Sequence, residues 1–384
     1  MKKKIAIIGS GIAGLTIANL FKNNSEFECV IYEKEKNLNL EEGFGIQLGV
    51  NSINILNKIG FDQLNKNEKF FPSKLNFCLM NNDKICELNL SQFNISGSKY
   101  TTLKRSTLIM FLKEKLLSDF IIFNKKISSI KEFNHKINIR FDDESKDDFD
   151  YLIVSDGIFS YTKSILEQNK YQPNFYNSVA IRTVIKDKDM GTIDRNNISI
   201  LMGSNAHIVS YPVNEQKHFN LVCIIRQKLN PGDFNKLKDL DFIRLILKNT
   251  ILKENKDLLS LFKGDLKCWP IYNSVQIVKS SYKNIFYIGD ALYAFSPTMA
   301  QGASQSIEAA NELFQLIVNN KKNIQNEYLK NRIIRTNLVN KRSKFNYFIF
   351  HFSNPVLKIF RNKFLKFFVK NKIFINNYLG KIYK

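Results

Sequence analysis

The chain has 384 residues, of which 44% are hydrophobic and 24% are charged. This length allows two or three domains of roughly 150 residues each, and the composition is typical of globular proteins. A minimal binding module, a disulfide knot and a wholly disordered chain are therefore excluded. The charge is unusual, because 57 Lys and Arg stand against 35 Asp and Glu, a formal net charge of +22.

Two interpretations of this positive charge remain open. An excess of cations suggests binding to nucleic acid or to a membrane. The chain is also rich in Asn, Ile and Phe, as AT-rich codons would produce, and we favour this simpler explanation. The chain has no recognisable base-reading motif, so we do not expect a nucleic-acid partner.

The cysteines and the N-terminus indicate a reducing compartment. The cysteines are odd in number and form no C-x-x-C pair, which predicts neither a disulfide framework nor a metal site. Met1 to Lys4 lead directly into a strand without a signal-peptide pattern, and no apolar stretch is long enough to span a bilayer. We therefore expect a cytoplasmic protein.

A dinucleotide-binding unit opens the chain. Ile5 to Ile8 form a fully apolar run that predicts a buried parallel strand, and a G-x-G-x-x-G motif follows at once. A helical pattern and a second strand come next, and the second strand ends at Glu33, 19 residues beyond Gly14. A glycine motif between strand and helix, followed by an acid at this spacing, strongly indicates an adenine dinucleotide.

Each residue of the motif has a physical role. Gly9 permits a tight turn, Gly11 lets the backbone approach a pyrophosphate, and Gly14 lets the helix pack against the strand. The N-terminus of the helix offers free N–H groups and a partial positive charge. Glu33 is placed to accept hydrogen bonds from a ribose diol.

Two later segments have the same strand-then-turn character. Tyr151 to Val154 are followed by Asp156 and Gly157, and Ile285 to Ile288 are followed by Gly289 and Asp290. In an open parallel sheet, the ligand binds at the carboxyl ends of the strands. We therefore expect both carboxylates to lie near the nucleotide.

Taken together in this order, the three segments resemble the FAD-dependent aromatic hydroxylases, the group that includes p-hydroxybenzoate and salicylate hydroxylases. The resemblance covers residue 3 to about 320. It implies an α/β fold with a Rossmann-like FAD-binding domain of the GR2 type, an inserted, mostly antiparallel substrate sheet and a helical C-terminal segment. The residues that it assigns to cofactor binding are Gly9, Gly11, Ala13, Gly14, Glu33, Arg105, Asp156, Gly289, Asp290, Pro297, Gln301 and Gly302.

Several further stretches carry the resemblance. Gly43 to Leu48 with Asn51 resemble the family's G-x-G-I-x-L-x-x-N motif, and Arg105 is placed to open a helix over 106–117, where the family has a flavin-contacting arginine. On the salicylate-hydroxylase side, the matching stretches are 180–182, 207–213 and 269–272. We predict structural roles for their Arg182 and His207, and no residue is predicted as a catalytic acid or base.

The chain departs from the family pattern at three positions. Lys163 stands where the D-G-x-x-S-x-x-R motif ends in arginine, and arginine and lysine differ at a forked hydrogen-bonding site. Tyr293 replaces the usual histidine, and Ala300 replaces the first glycine of G-Q-G. The backbone amides near Gly302 should keep their role, because the helix that begins there still offers free N–H groups.

The resemblance implies an FAD-dependent monooxygenase. NADH or NADPH would reduce the flavin, O2 would form a C4a-hydroperoxide, and this species would hydroxylate a small aromatic or lipophilic phenolic substrate. The cofactor supplies the difficult chemistry, while the protein orients the reactants and excludes water. The alternative is a related FAD enzyme acting on a lipid or polyprenylated substrate, such as a ubiquinone-pathway hydroxylase, an epoxidase or a prenyl reductase.

The domain division follows from these segments. We expect a discontinuous FAD-binding domain over 1–73, 100–174 and 276–325, and a β-sheet substrate domain over 74–99 and 175–275. Residues 326–384 are predicted to form basic, Phe-rich helices.

Most of the charge lies at the C-terminal end. Residues 321–384 contain 16 Lys and Arg and one acid, Glu327. In the stretch 355–370, Leu357, Phe360, Phe364, Phe367 and Phe368 have helical spacing, with lysines on the other side. A helix covering the core is our first expectation, and peripheral contact with the inner face of the cytoplasmic membrane is the alternative.

Overall fold

A computed structural model describes residues 2–40, 44–168, 172–252 and 254–383. In chain order, the strands are β1 Lys3–Ile8, β2 Phe27–Tyr32, β3 Gly45–Leu48, β4 Lys69–Phe70, β5 Lys74–Leu79, β6 Lys84–Asn89, β7 Thr101–Lys104, β8 Ile121–Ile122, β9 Ile127–Phe133, β10 Lys136–Phe141, β11 Lys146–Phe149, β12 Tyr151–Val154, β13 Asn174–Lys186, β14 Ile198–Met202, β15 Ala206–Pro212, β16 His218–Arg226, β17 Lys267–Asn273 and β18 Ile285–Tyr287. The helices are α1 Ile12–Phe21, α2 Val50–Asn57, α3 Arg105–Glu114, α4 Tyr161–Leu166, α5 Asp233–Lys236, α6 Leu240–Ile251, α7 Lys256–Leu259, α8 Gly302–Val318, α9 Ile324–Phe350, α10 Pro355–Lys370, α11 Lys372–Ile375 and α12 Lys381–Tyr383.

A parallel sheet takes four strands from the first half of the chain and one, β18, from the second. Its strand order is β18-β12-β1-β2-β8, and all neighbouring strands pair in parallel. The apolar runs of β1, β12 and β18 are buried on both faces, as parallel strands covered by helices require. Helices α1 and α8 pack together against this sheet within one hydrophobic core.

The register of this sheet brings four strand ends to one edge. Ile8 pairs with both Tyr32 and Val154, and Val154 pairs with Tyr287. The residues that follow these ends are therefore neighbours in space, although they come from distant parts of the chain. This edge is where ligands bind in open parallel sheets.

A second, seven-stranded sheet has the order β17-β13-β16-β15-β14-β5-β6 and is antiparallel except between β14 and β5. One face packs on α6 and α7, and the other face packs on the C-terminal helices. Because side chains alternate along a strand, Ala206 and Ile208 enter the first of these cores, while His207 and Val209 face the second.

Two small sheets complete the architecture. Strands β9, β10 and β11 form an antiparallel sheet, and β3, β7 and β4 form another. The second one is tied to the large sheet, because the Tyr211 hydroxyl donates to the Gly45 carbonyl and the Gly45 N–H donates to Asn220 Oδ1. The α/β fold class with an antiparallel sheet and C-terminal helices is confirmed, while the domain boundaries stay a prediction.

The arginines of the C-terminal segment point inward. Arg332 and Arg335 form ion pairs with Glu308 of α8, and Arg335 also donates to the carbonyls of Lys381 and Ile382. Arg342 donates to the Asn377 carbonyl at 2.7 Å. Arg335 and Arg342 fasten the end of the chain to α9, and Arg332 joins α9 to α8, so the lysines carry most of the charge exposed to solvent.

Helix α10 has the predicted bounds, but only Phe364 and Phe368 of the predicted apolar face pack against the core. Its buried side chains are Arg361, Leu365 and Phe368, whereas Phe360 and Phe367 are exposed. The helix contacts the second sheet at the β14–β15 turn, where the Lys358 ammonium donates to Ser204 Oγ. This docking rotates α10 away from the orientation that the spacing of phenylalanines predicted.

One other predicted helix differs slightly in its bounds. Helix α3 begins at Arg105 itself and ends at Glu114, whereas α8 begins at Gly302 as expected. Across the described ranges, no helix combines the length and apolarity needed to cross a bilayer.

Candidate functional site

A cleft lies along the carboxyl edge of the parallel sheet. It brings together five of the predicted residues, Gly9, Gly11, Glu33, Arg105 and Asp156. The first three and Asp156 follow strand ends that the parallel register aligns, whereas Arg105 follows β7 of a neighbouring sheet. We call this space the edge cleft.

Glu33 is held in place by Ser10. Its carboxylate accepts hydrogen bonds from the Ser10 N–H at 2.8 Å and the Ser10 hydroxyl at 2.6 Å. The Glu35 N–H donates to the other carboxylate oxygen. Because an ionised carboxylate has about four acceptor positions, one remains for a ligand hydroxyl.

Asp156 presents an unsatisfied oxygen at the same edge. Its Oδ2 accepts from the Thr162 N–H at the start of α4, while its buried Oδ1 has no partner among the described residues. Desolvation by burial raises the pKa of this carboxyl. A buried polar atom without a partner is costly, so a ligand donor would stabilise it.

The glycines divide into two groups by what surrounds them. A Cβ on Gly9 would lie 2.8 Å from the Ser155 carbonyl oxygen, and one on Gly14 would lie 2.1 Å from the Gly9 carbonyl oxygen. The fold itself requires these two glycines. Gly11 and Gly302 have open space where a Cβ would stand, so protein packing does not explain them. A ligand that approaches the backbone closely does explain them.

Arg105 and Asp290 interact electrostatically in the site. Arg105 lies at the start of α3 and contacts the Asn39 carbonyl, and its charge acts on Asp290. The Asp290 side chain is exposed to solvent, yet the protein around it raises the pKa of its carboxyl to about 6 by desolvation, against the opposing effect of Arg105.

Residues 289–302 connect the edge cleft to a second cavity. At one end, Gly289 lies against Ala13 of α1; at the other, Pro297 and Ala300 line the second cavity. Ala300 has a φ of +50°, the left-handed region that favours glycine. Gln301 is buried, and its Nε2 has no partner among the described residues.

The second cavity, which we call the apolar cavity, lies between the large sheet and the C-terminal helices. Its cavity volume is about 100 Å³. Strands β5, β6, β14 and β15 supply one wall, residues 297–300 supply another, and α9, α10 and residues 374–383 supply the third. The C-terminal segment is thus part of this cavity rather than a separate module.

Comparison with known proteins decides the family. A family model described as "FAD binding domain" matches residues 2–329. The chain belongs to this family. The predictions of an FAD-dependent aromatic monooxygenase and of FAD as the cofactor are confirmed, as is NADH or NADPH as the donor typical of these hydroxylases.

The relatives agree with this assignment. The chain is 22% identical to 6-hydroxynicotinate 3-monooxygenase from Bordetella bronchiseptica over 334 residues, covering 82% of each chain. It is 22% identical to salicylate hydroxylase from Pseudomonas putida over 345 residues, covering 82% of this chain and 76% of the relative. These relatives do not favour the alternative of a lipid-acting epoxidase or prenyl reductase.

The fold is also similar to solved structures. HpxO from Klebsiella pneumoniae, solved with FAD and uric acid, superposes with a TM-score of 0.85 at 18% identity, covering 99% of this chain and 96% of HpxO. A salicylate hydroxylase substrate complex gives a TM-score of 0.76 at 18% identity, covering 97% of this chain and 96% of that one.

Lys163 and Tyr293, two of the three departures from the family pattern, contact neighbouring groups of the protein. The Lys163 ammonium donates to the Ala291 carbonyl at 3.0 Å, and desolvation lowers the pKa of this lysine. Tyr293 is buried and its ring packs on Phe295, with the centroids 4.9 Å apart. The position of Gly43 lies outside the described residues, whereas Asn51 donates to Glu308.

Sequence reasoning missed some members of the site. Ser10, which orients Glu33, was an unassigned residue of the glycine motif. A buried histidine pair was also missed: His207 Nδ1 lies 2.8 Å from Nε2 of His351, 144 residues later in the chain. No local pattern signals such a contact. Within the described ranges, no cluster of His, Cys, Asp and Glu is placed to hold a metal ion.

Proposed function

We propose that the protein hydroxylates an aromatic ring held in the apolar cavity, beside an FAD bound along the edge cleft. The observation that carries this proposal is the path of residues 289–302, which run from the nucleotide-binding edge to the wall of the cavity. FAD, when bound, supplies electron transfer from NADH or NADPH and the activation of O2. The protein supplies binding, orientation and exclusion of water.

The predicted residues would contact different parts of FAD. Gly11 and the N-terminus of α1 would approach the pyrophosphate, and Glu33 would accept hydrogen bonds from the ribose. Gly9, Ala13 and Gly14 allow the close backbone packing beneath the pyrophosphate. The fit is supported by the open space above Gly11 and by the polar groups still available around it.

The remaining residues are proposed to hold the flavin end of the cofactor. Asp156, Arg105 and Asp290 lie where polar groups of the ribityl chain and pyrophosphate would pass. Pro297, Gln301 and Gly302 with Gly289 would bring backbone beside the ring, and the open position at Gly302 lets α8 direct its free N–H groups at the flavin.

Purified protein tests this function. We expect a yellow flavin spectrum, and NADH or NADPH oxidation that rises when a phenol is added. The double variant Gly11→Ala with Asp290→Ala should purify colourless. Full flavin occupancy in that variant would contradict the residue assignment, and a colourless wild-type protein that takes up no FAD would contradict the function.

We also propose that α10 contacts an anionic membrane surface. Its outer face exposes Val356, Ile359, Phe360 and Phe367, each 57–63% exposed. The exposed lysines of the same helix, Lys363, Lys366 and Lys370, lie among them. Apolar side chains flanked by lysines are the composition of interfacial helices, and each lysine near an anionic surface contributes about 1 kcal/mol.

Vesicle sedimentation tests the membrane contact. The protein should sediment with vesicles that contain phosphatidylserine and remain in solution with neutral vesicles, and salt should weaken the binding. The double variant Phe360→Ser with Phe367→Ser should lose it, whereas Phe133→Ser, an exposed phenylalanine on β9, should not. Equal sedimentation of both variants would contradict a contact through α10.

A further inference from the structure

The apolar cavity presents no ionic side chain. Among the described residues that line it, none is Lys, Arg, Asp or Glu. Most of its surface comes from Leu, Ile, Val, Met and aromatic residues. A carboxylate placed there would lose its hydration without gaining a cationic partner, which is among the costliest changes in a protein interior.

The polar groups of the wall are neutral and mostly occupied. Tyr378 donates to Asn346 Oδ1 at 2.8 Å, and Tyr100 donates to Gln47 Oε1 at 2.9 Å. Thr298 donates to the Ser343 carbonyl at 2.6 Å. These pairs satisfy one another and leave little capacity for an ionic ligand.

His207 does not introduce a charge. It is fully buried, its Nδ1 is bonded to His351, and its Nε2 has no partner among the described residues. Burial lowers the pKa of His207 to about 3, so the ring is neutral at physiological pH. A neutral imidazole has one donor and one acceptor nitrogen, so with Nδ1 engaged the remaining Nε2 offers a single neutral group, which suits an uncharged hydroxyl.

Arg182, a cation of the same sheet, packs on an aromatic ring. Arg182 of β13 lies with its guanidinium 6.0 Å from the centre of the Trp269 ring and does not line the cavity. Basic side chains of the C-terminal segment are also kept apart, because Arg335 and Arg342 bind backbone carbonyls of residues 377–382.

The outer wall is an aromatic cluster that reaches the surface. Phe364 packs on Phe345 and Phe374, with ring centroids 6.2 and 6.0 Å apart, and Phe368 lies 5.3 Å from Phe374. Phe345 and Phe374 line the cavity and are also 40% and 38% exposed. A ligand passing this cluster meets only hydrocarbon and ring faces.

From these observations we infer that the substrate is an uncharged, predominantly apolar aromatic compound with a hydroxyl group, and not a ring carboxylate. This inference rests on the proposed function and specifies its substrate class. The C-terminal helices are the element that sets this specificity, because they contribute the aromatic wall and keep their cations away from it.

The test compares matched ligands on flavin-loaded protein at pH 7. Each of the three hydroxybenzoates is paired with the hydroxyacetophenone of the same ring pattern, in which a methyl group replaces the carboxylate oxygen. Perturbation of the flavin spectrum measures binding, and stimulated NADH or NADPH oxidation measures turnover. We expect at least one ketone to bind at least tenfold more tightly than its acid.

A charge introduced into the wall should reverse this preference. Val209 lines the cavity on β15, so Val209→Arg should strengthen hydroxybenzoate binding and weaken ketone binding. The control is Val275→Arg, at a position that is 66% exposed and does not line the cavity, and it should leave the preference unchanged. Thermal unfolding and flavin content show whether each variant folds. The comparison of acids with ketones on the wild-type protein does not depend on either variant.

The outcomes separate this inference from the proposed function. Wild-type protein that takes up no FAD, or oxidises no NADH or NADPH with any aromatic compound, refutes the function. Flavin-bearing protein that binds the acids as tightly as the ketones, or that no ketone perturbs, refutes the substrate class alone.

Discussion

Gly11 and Gly14 offer a direct test of which glycines serve the fold and which serve the ligand. Gly11 has a φ of −75°, which any residue adopts, and no atom lies within 4 Å of the position of a Cβ. Gly14 has a backbone oxygen 2.1 Å from that position. Alanine at residue 11 should therefore weaken FAD binding and leave folding intact. Alanine at residue 14 should instead destabilise the fold.

The effects on stability can be estimated separately. For Gly11→Ala, the weaker N-cap costs about 0.5–1 kcal/mol, and the reduced entropy of the unfolded chain returns about 0.4–1 kcal/mol. These nearly cancel. For Gly14→Ala, the new methyl group meets the Gly9 carbonyl, and overpacking of this kind costs about 3 kcal/mol.

The effect on FAD follows from the hydrogen bonds at the start of α1. A methyl group at residue 11 would hold the pyrophosphate away from the helix N-terminus, and each charge-assisted hydrogen bond lost costs about 1.5–3 kcal/mol. The Kd for FAD should therefore rise about tenfold to a hundredfold.

Two measurements on apoprotein decide the question. Urea denaturation gives the free energy of unfolding of each variant, and quenching of flavin fluorescence on titration gives the Kd for FAD. We expect Gly11→Ala to fold like wild type and bind FAD weakly. A Gly11→Ala protein with wild-type affinity, or one as destabilised as Gly14→Ala, would refute the reasoning.

Three further predictions concern stability, measured by denaturation of apoprotein. The pKa of Asp290 is raised from 3.8 to about 6, so its protonated carboxyl stabilises the fold below pH 4 and this stabilisation is lost as the pH rises through 6. The variant Asp290→Asn should abolish this pH dependence of the free energy of unfolding. Ala300→Gly should raise the free energy of unfolding by about 0.5–1 kcal/mol by removing left-handed strain, and a loss would contradict it. Arg335→Met should lower the free energy of unfolding by about 3 kcal/mol. An unchanged value would show that the bonds of Arg335 to Glu308 and to the chain end do not stabilise the protein.

The nucleotide-binding unit could be predicted because its determinants are local. Glycine spacing, an apolar run and an acid after the second strand lie within residues 5–33, and each reflects one turn or one strand. The strand ends at Asp156 and Gly289 were equally visible as apolar runs closed by a glycine. The sequence thus determined that these residues follow strands, and the parallel register decided that they meet.

Packing between distant segments decided the rest. Periodicity predicted a helix over 355–370, but it placed Phe360 and Phe367 on the buried face. The docking of Arg361 and Leu365 on the second sheet exposed them instead. A hydrophobic stripe on a helix does not specify its partner when several apolar faces compete.

The positive charge shows most clearly which properties the sequence determined and which the fold decided. The sequence by itself determined that 16 cations are concentrated in the last 64 residues. Only the tertiary structure decided that Arg332 turns inward to the carboxylates of α8, and that Arg335 and Arg342 hold the chain end. Their removal from the surface leaves lysines outside and an uncharged aromatic wall inside, because carbonyls and carboxylates far apart in the chain become their partners.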